Sequence, residues 1–176
     1  MNEGFLINNK ILLRAVEPED LDLMYQMEND PESWNISNFT VPYSRAMLRE
    51  YIKSTQYDIF ADKQLRLIIV LREGQKSIGT VDLTDYSPLH NRAEIGIGLM
   101  KCYRGYGYAS QALELLEEYA FKFLHLHQLM ARVEVGNDSC VRLFQSRDYL
   151  QTAQLTDWLC RGDVYKNVII FQKIYK

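Results

Sequence analysis

Met100-Lys101-Cys102-Tyr103-Arg104-Gly105-Tyr106-Gly107-Tyr108-Ala109-Ser110-Gln111 is the stretch on which the reading turns. It leaves an apolar, strand-like run, Ala93–Leu99, and enters a helical pattern. There Ala109, Ala112, Leu113, Leu116, Tyr119, Ala120 and Phe123 recur on one face, with Gln111, Glu114, Glu117, Glu118 and Lys122 between them. The spacing predicts strand, glycine turn, helix. Gly105 and Gly107 let the backbone turn tightly, and the first turn of a helix presents N–H groups with no internal partner. Anions, phosphates above all, bind at such a place. A phosphate-binding P-loop would require Gly-Lys-Ser/Thr, but Tyr108 and Ala109 follow Gly107. A dinucleotide fingerprint would require three glycines early in a βαβ unit, and this turn lies past the middle of the chain.

The composition narrows the function classes. A chain of 176 residues suits one domain, 1–176, long enough to bury a proper core. The net charge of −3, with no basic block, gives sequence-independent nucleic-acid binding little electrostatic support and suits a cationic substrate better. No apolar run approaches the ~18 residues of a membrane helix, and the N-terminus does not read as a signal peptide, so a cytoplasmic protein is expected. Cys102, Cys140 and Cys160 are odd in number and widely spaced, which argues against a disulfide framework or a zinc site. His125 and His127 lack Cys or carboxylate companions and read as a helix end; no metal is expected.

Outward from the glycine turn the chain divides into short elements. Ile11–Val16 reads as a buried strand. Glu17-Pro18-Glu19-Asp20 opens a helix that Leu21, Met24, Tyr25 and Glu28 carry to about Asn29, before Asp30-Pro31 stops it. Residues 32–43, with Trp34, Phe39 and Tyr43, show no period. Ser44 caps a second helix to about Ser54, expected to bury Met47, Leu48, Tyr51 and Ile52. Gln64–Arg72, Ser77–Asp85 and Arg92–Met100 read as an antiparallel meander whose first turn is Glu73-Gly74-Gln75-Lys76. After the long helix come a strand at Leu129–Val135, a helix at Ser139–Arg147, and two strands, Tyr149–Cys160 and Val164–Tyr175, around Arg161-Gly162-Asp163.

Arg104-Gly105-Tyr106-Gly107-Tyr108-Ala109 resembles the Arg/Gln-x-x-Gly-x-Gly/Ala signature of the GNAT N-acetyltransferase superfamily, and the order β-α-α-β-β-β-α-β-α-β-β is similar to that fold over essentially the whole chain. The run from Leu12 to Leu21 resembles the opening of the branch that holds ribosomal-protein and spermidine acetyltransferases. Asn137 resembles the start of the family's second signature. The stretch from Asp157 to Asn167 is similar to the aromatic-rich strand pair of polyamine acetyltransferases. The resemblance implies an α/β (α+β) fold, a mixed, mostly antiparallel sheet of about seven strands flanked by helices, with acetyl-CoA as co-substrate and no metal. It places the pyrophosphate on Arg104, Gly105, Tyr106, Gly107, Tyr108, Ala109 and Ser110, and the pantetheine along Ile97, Gly98 and Leu99, with Asn137 and Phe144 contributing. It also implies that residues between the first two helices shape the acceptor site.

Acyl transfer from a thioester to an amine needs a neutral amine, a stabilised oxyanion and a departing thiolate. A primary amine titrates near the lysine value of about 10.4, so at neutral pH a base matters. Glu94 is expected to be that base, matching a strand glutamate of the polyamine acetyltransferases, and a backbone N–H near Leu99 the oxyanion donor. Glu28, Asp30, Glu32, Asp58, Asp82 and Asp85 are candidates to hold a polyamine's positive charge. Gly96 and Gly98 either mark close ligand approach or relieve crowding under a helix. One departure from the family stands out: where its second signature commonly carries a tyrosine that resembles a general acid, this chain has Phe144. Cys140, Tyr149 or water are the replacements. The expected partners are acetyl-CoA and a small amine, with room for a homo-oligomer, and neither nucleic acid nor membrane. The leading expectation is acetylation of a primary amine, a polyamine such as spermidine. The alternatives are acetylation of a protein N-terminus and a non-catalytic acyl-CoA-binding module.

Overall fold

A computed structural model describes residues 4–31, 41–54 and 58–176. Its strands are β1 (Ile11–Ala15), β2 (Leu65–Leu71), β3 (Lys76–Ser87), β4 (Arg92–Leu99), β5 (Gln128–Glu134), β6 (Leu150–Arg161) and β7 (Val164–Ile174). They form one sheet in the order β1-β2-β3-β4-β5-β7-β6. All its pairings are antiparallel except β4 with β5, which run parallel and meet only over Arg92–Gln128, Ala93–Leu129 and Glu94–Met130. β4 runs on to Leu99 beside β3, and β5 on to Glu134 beside β7. Past Glu94, then, the fourth and fifth strands share no ladder, and the sheet carries a split at its centre. Ile97, Gly98 and Leu99, which the resemblance implies line the pantetheine, lie on β4 beyond that last pairing.

The helices cover both faces. α1 (Leu21–Glu28) and α2 (Arg45–Ser54) lie on one, bringing Leu23, Met24 and Leu48 against Ile68 and Val70. α4 (Tyr108–Glu118) lies on the other, packing Ala112, Leu113 and Leu116 into the larger core with Ile69, Val81, Ile95 and Leu129. Between them come α3 (Ile59–Asp62) and, after β5, α5 (Asp138–Ser146). Because helices flank β2 on both sides, its sequence is apolar without alternation, as a strand covered on both faces should be. Leu113 and Leu116 are fully buried, each worth about 1.5–3 kcal/mol relative to exposure.

Four expectations are corrected. Met47 is half exposed, so α2 buries Leu48 and only partly Tyr51 and Ile52. Phe123, assigned to the buried stripe, is 56% exposed. The last turn, Tyr119–Phe123, is a π-helix closed by the Leu124 N–H on the Tyr119 carbonyl at 3.0 Å. That extra residue per turn carries Phe123 off the 3.6-residue stripe. Upstream of it Glu117, read as a polar spacer, is buried. The fourth correction is α3, a single turn that the pattern does not announce; Asp58 caps it by accepting from the Phe60 N–H at 2.9 Å. Trp34, Phe39 and Glu32 lie outside the described residues.

Candidate functional site

The glycine turn sits where β4 ends. A 3-10 turn, Lys101–Tyr103, redirects the chain, and Arg104 Nε reaches back to donate to the Leu99 carbonyl at 3.0 Å, tying the turn to the strand. Gly105 has φ +85° and Gly107 φ +79°. Both lie in the left-handed region that side chains avoid, and a Cβ at either would meet nothing within 4 Å. Gly107 is the N-cap of α4, and no side chain caps the helix there. The N–H groups of its first turn, Tyr108, Ala109 and Ser110, therefore have no side-chain cap; space is open beside Gly105 and Gly107, and the Tyr106 and Tyr108 rings stack next to it at 6.0 Å. Glycine backbone, an uncapped helix start and the adjacent Arg104 suit a pyrophosphate.

The split begins beside this cradle. Leu99 is buried against the α4 side, as are Ala93 and Ile95, while Ile97 is partly buried there. Glu94, Gly96 and Gly98 point to the opposite face. A Cβ on Gly98 would stand 3.0 Å from Met27 Cε of α1, and one on Gly96 would meet nothing within 4 Å. Crowding is thus no reason for Gly96, and the open strand surface leaves room for a thin, extended ligand. Across the split Asn137 caps α5, accepting from the Cys140 N–H at 3.2 Å and from Ser139 Oγ at 2.9 Å. Burial pushes the Cys140 thiol up, against the Asn137 hydrogen bond and the positive charge of nearby Arg104.

Phe144 is placed otherwise than the resemblance implies, and Tyr149 otherwise than a replacement acid requires. Phe144 is 3% exposed, edge-on to Tyr149 and stacked with Phe171, so it packs the core. Tyr149 is equally buried beside Glu117, and burial together with that negative charge pushes its phenol far up. A phenol that keeps its proton so firmly is a poor donor to a departing thiolate. Of the named replacements that leaves water and Cys140, whose N–H donates to Asn137 and which lies near Arg104.

The face opposite α4 carries the charged groups. Glu94 accepts from Arg132 Nε at 2.9 Å and from Arg132 Nη2 at 2.6 Å, a two-pronged pair across β4 and β5 that sequence reading misses. Arg66 on β2 donates to Asp82 on β3 at 2.8 Å and to Glu28 on α1 at 2.5 Å. Of the six acidic candidates, Glu28 and Asp82 converge here. Asp58 caps α3, Asp85 pairs with Arg92 and Asp30 with Lys101. Tyr43 and Tyr51 adjoin the cluster; the Arg66 guanidinium lies over the Tyr51 ring at 5.9 Å. Asn29 holds Tyr43 in place, donating to its carbonyl at 3.0 Å and accepting from its N–H at 2.9 Å. No cluster of three or more metal-ligating side chains occurs among the described residues.

Comparison with known proteins speaks to the family and the fold. The family model described as the acetyltransferase (GNAT) domain matches residues 10–147. An uncharacterized N-acetyltransferase of Bacillus licheniformis, p20, is 29% identical, covering 87% of this chain and 86% of its own. The spermidine N(1)-acetyltransferase of Escherichia coli K12 is 28% identical, over 95% and 89%. The crystal structure of spermidine N-acetyltransferase from Vibrio cholerae in complex with CoA and spermine superposes with a TM-score of 0.83, covering 95% of this chain and 96% of that one. At 24% identity that last likeness speaks to the fold.

Proposed function

Because the chain belongs to the GNAT acetyltransferase family, we propose that it moves the acetyl group of acetyl-CoA onto a primary amine, and that the amine is a polyamine such as spermidine. The observation that carries the acceptor reading is the acidic face at the split: Glu28, Asp82 and Glu94 lie on the side opposite α4, Glu28 and Asp82 paired with Arg66 and Glu94 with Arg132. A polycation arriving there meets carboxylates on the face away from the cofactor's cradle. The similarity to a spermidine N(1)-acetyltransferase over nearly the whole chain supports the same choice.

In this reading residues 1–176 act as one acetyltransferase domain in the cytoplasm. Arg104–Ser110 hold the pyrophosphate, and Ile97, Gly98 and Leu99 line the pantetheine, with Asn137 across the gap. Bound there, acetyl-CoA supplies the activated acetyl group. Glu94 takes a proton from the acceptor ammonium. Both of its oxygens are engaged by Arg132, and an oxygen released from that pair accepts from the amine. The neutral amine attacks the thioester carbonyl, the N–H of Leu99 receives the developing oxyanion, the C–S bond breaks to release CoA as a thiolate, and the proton the new amide nitrogen sheds passes to that thiolate or to water. A thiol near 8.5 leaves without much help, so Phe144 in place of a tyrosine does not forbid turnover. Assembly into a homo-oligomer belongs to the same proposal, because edge strand β6 is long and exposes Trp158; light scattering checks it.

The test is free-thiol release from acetyl-CoA with a panel of spermidine, spermine, a simple monoamine and a peptide with a free N-terminus. Turnover with the polyamines above the monoamine supports the proposal. Preference for the peptide would move the protein to N-terminal acetylation, and binding without turnover would leave an acyl-CoA-binding module.

A further inference from the structure

Arg132 is a second cation on the face where, by the reading above, a cation must arrive. It extends from β5, opposite Ile170 of β7, and its side chain is 44% exposed, whereas that of Glu94 is 14% exposed. Both oxygens of Glu94 are engaged by the fork of one guanidinium, Nε on Oε1 and Nη2 on Oε2. The pair lies at the last rung of the β4–β5 ladder, since Glu94 opposes Met130 and no β4–β5 pairing follows. Burial works against the charge on Arg132, but the hydrogen bond to Glu94 outweighs it and, with Asp85, holds the guanidinium charged. The other groups around the pair are committed or uncharged. Thr84 opposes Glu94 on β3, Asp85 pairs with Arg92, Gln128 is bonded to Gln172, and Glu134 is paired with Arg161. An ammonium that approaches Glu94 thus meets a like charge already seated on the carboxylate.

We propose that Arg132 sets acceptor selectivity by competing with the substrate's ammonium for Glu94 at the mouth of the split. The inference rests on the polyamine reading and deepens it. Arg132 aims the carboxylate toward the reacting centre, and it makes weakly held cations poor ligands. An amine with a second positive charge, anchored on Glu28 and Asp82, displaces the guanidinium from one oxygen where a monoamine does not. Arg132 is therefore a positioning residue, acting through Glu94, and its effect belongs in the acceptor's KM.

The experiment measures steady-state kinetics with spermidine and acetyl-CoA for wild type, Arg132→Gln, Arg132→Lys, Glu94→Gln and the double variant. Arg132→Gln is expected to lower the KM for spermidine about fivefold, the fold-change of one partly exposed ion pair, with the KM for acetyl-CoA unchanged within about twofold. Arg132→Lys, which keeps the charge and loses the fork, falls between and carries the test if the glutamine variant does not fold. In the Glu94→Gln background the Arg132→Gln change should have no effect on the spermidine KM, because the contested carboxylate is gone. A spermidine KM that rises or stays fixed, or an equal effect without Glu94, overturns the proposal while wild-type turnover stands. A wild-type enzyme that releases no CoA with any amine overturns the functional reading itself, and this inference with it.

Discussion

Arg66 and Asp82 face each other across the β2–β3 ladder, and Arg66 Nε donates to Asp82 Oδ1 at 2.8 Å while its Nη1 reaches Glu28 Oε1 at 2.5 Å. Two carboxylates thus share one guanidinium, and the trio keeps a net negative charge under α1. The side chains are 15–22% exposed, so that charge is screened less than a surface charge would be.

Glu28→Gln removes the surplus charge without removing the side chain. The KM for spermidine should rise about fivefold, the scale of one partly screened ion pair, while the KM for acetyl-CoA stays put. Steady-state kinetics with each substrate varied in turn checks it. A change confined to the acetyl-CoA KM would place Glu28 outside the acceptor site.

Glu94→Gln should lower turnover at neutral pH and recover part of it as pH rises, because free amine becomes abundant and needs no base. The pH dependence of kcat decides. An unaltered profile would leave Glu94 with only its structural pairing to Arg132.

Asp20 offers a test of stability. Burial pushes its carboxyl up, but Arg14, the Glu17 N–H and Ser77 all donate to it, and together they hold it below its ordinary value. Its folded value lies below its unfolded one, so its contribution is complete above about pH 4 and is lost as pH falls through the folded value. Asp20→Asn should therefore lower the midpoint of urea unfolding at pH 7 and narrow the gap between pH 7 and pH 3. An equal gap in wild type and variant would contradict this.

Glu117 is 3% exposed and accepts from Arg147 Nη2 at 2.8 Å and from Lys173 Nζ at 2.7 Å, joining α4 to the end of α5 and to β7. Glu117→Ala leaves two cations facing each other, and breaking a buried pair in this way costs about 3–5 kcal/mol. Chemical denaturation measures it; a loss under ~1 kcal/mol would show that water satisfies the cations instead.

The glycine turn, the order of elements along the chain and the strand that leads into the turn are legible in the sequence because each rests on local pattern: Gly105 and Gly107, the 3.6-residue stripe of α4, and the apolar runs of β2 to β4. The sheet's ion pairs are legible only once register is known. Arg66 and Asp82 become partners through the β2–β3 hairpin, and Glu94 and Arg132 are 38 residues apart and meet because β4 and β5 run parallel. Phe144 and Glu117 mislead for the same reason. A position in a signature or on a helix wheel does not say which neighbour covers it, and Phe171 and Lys173 of β7 cover these two.

The central claim is that the turn at Gly105–Gly107 cradles acetyl-CoA, and calorimetric titration of acetyl-CoA into wild type and Gly107→Val tests it most directly. At φ +79° a β-branched residue is strained, and its side chain would occupy the open space beside the start of α4. With the fold verified by circular dichroism, the dissociation constant should rise at least tenfold, about 1.4 kcal/mol. Wild-type affinity in a correctly folded Gly107→Val protein would contradict the account.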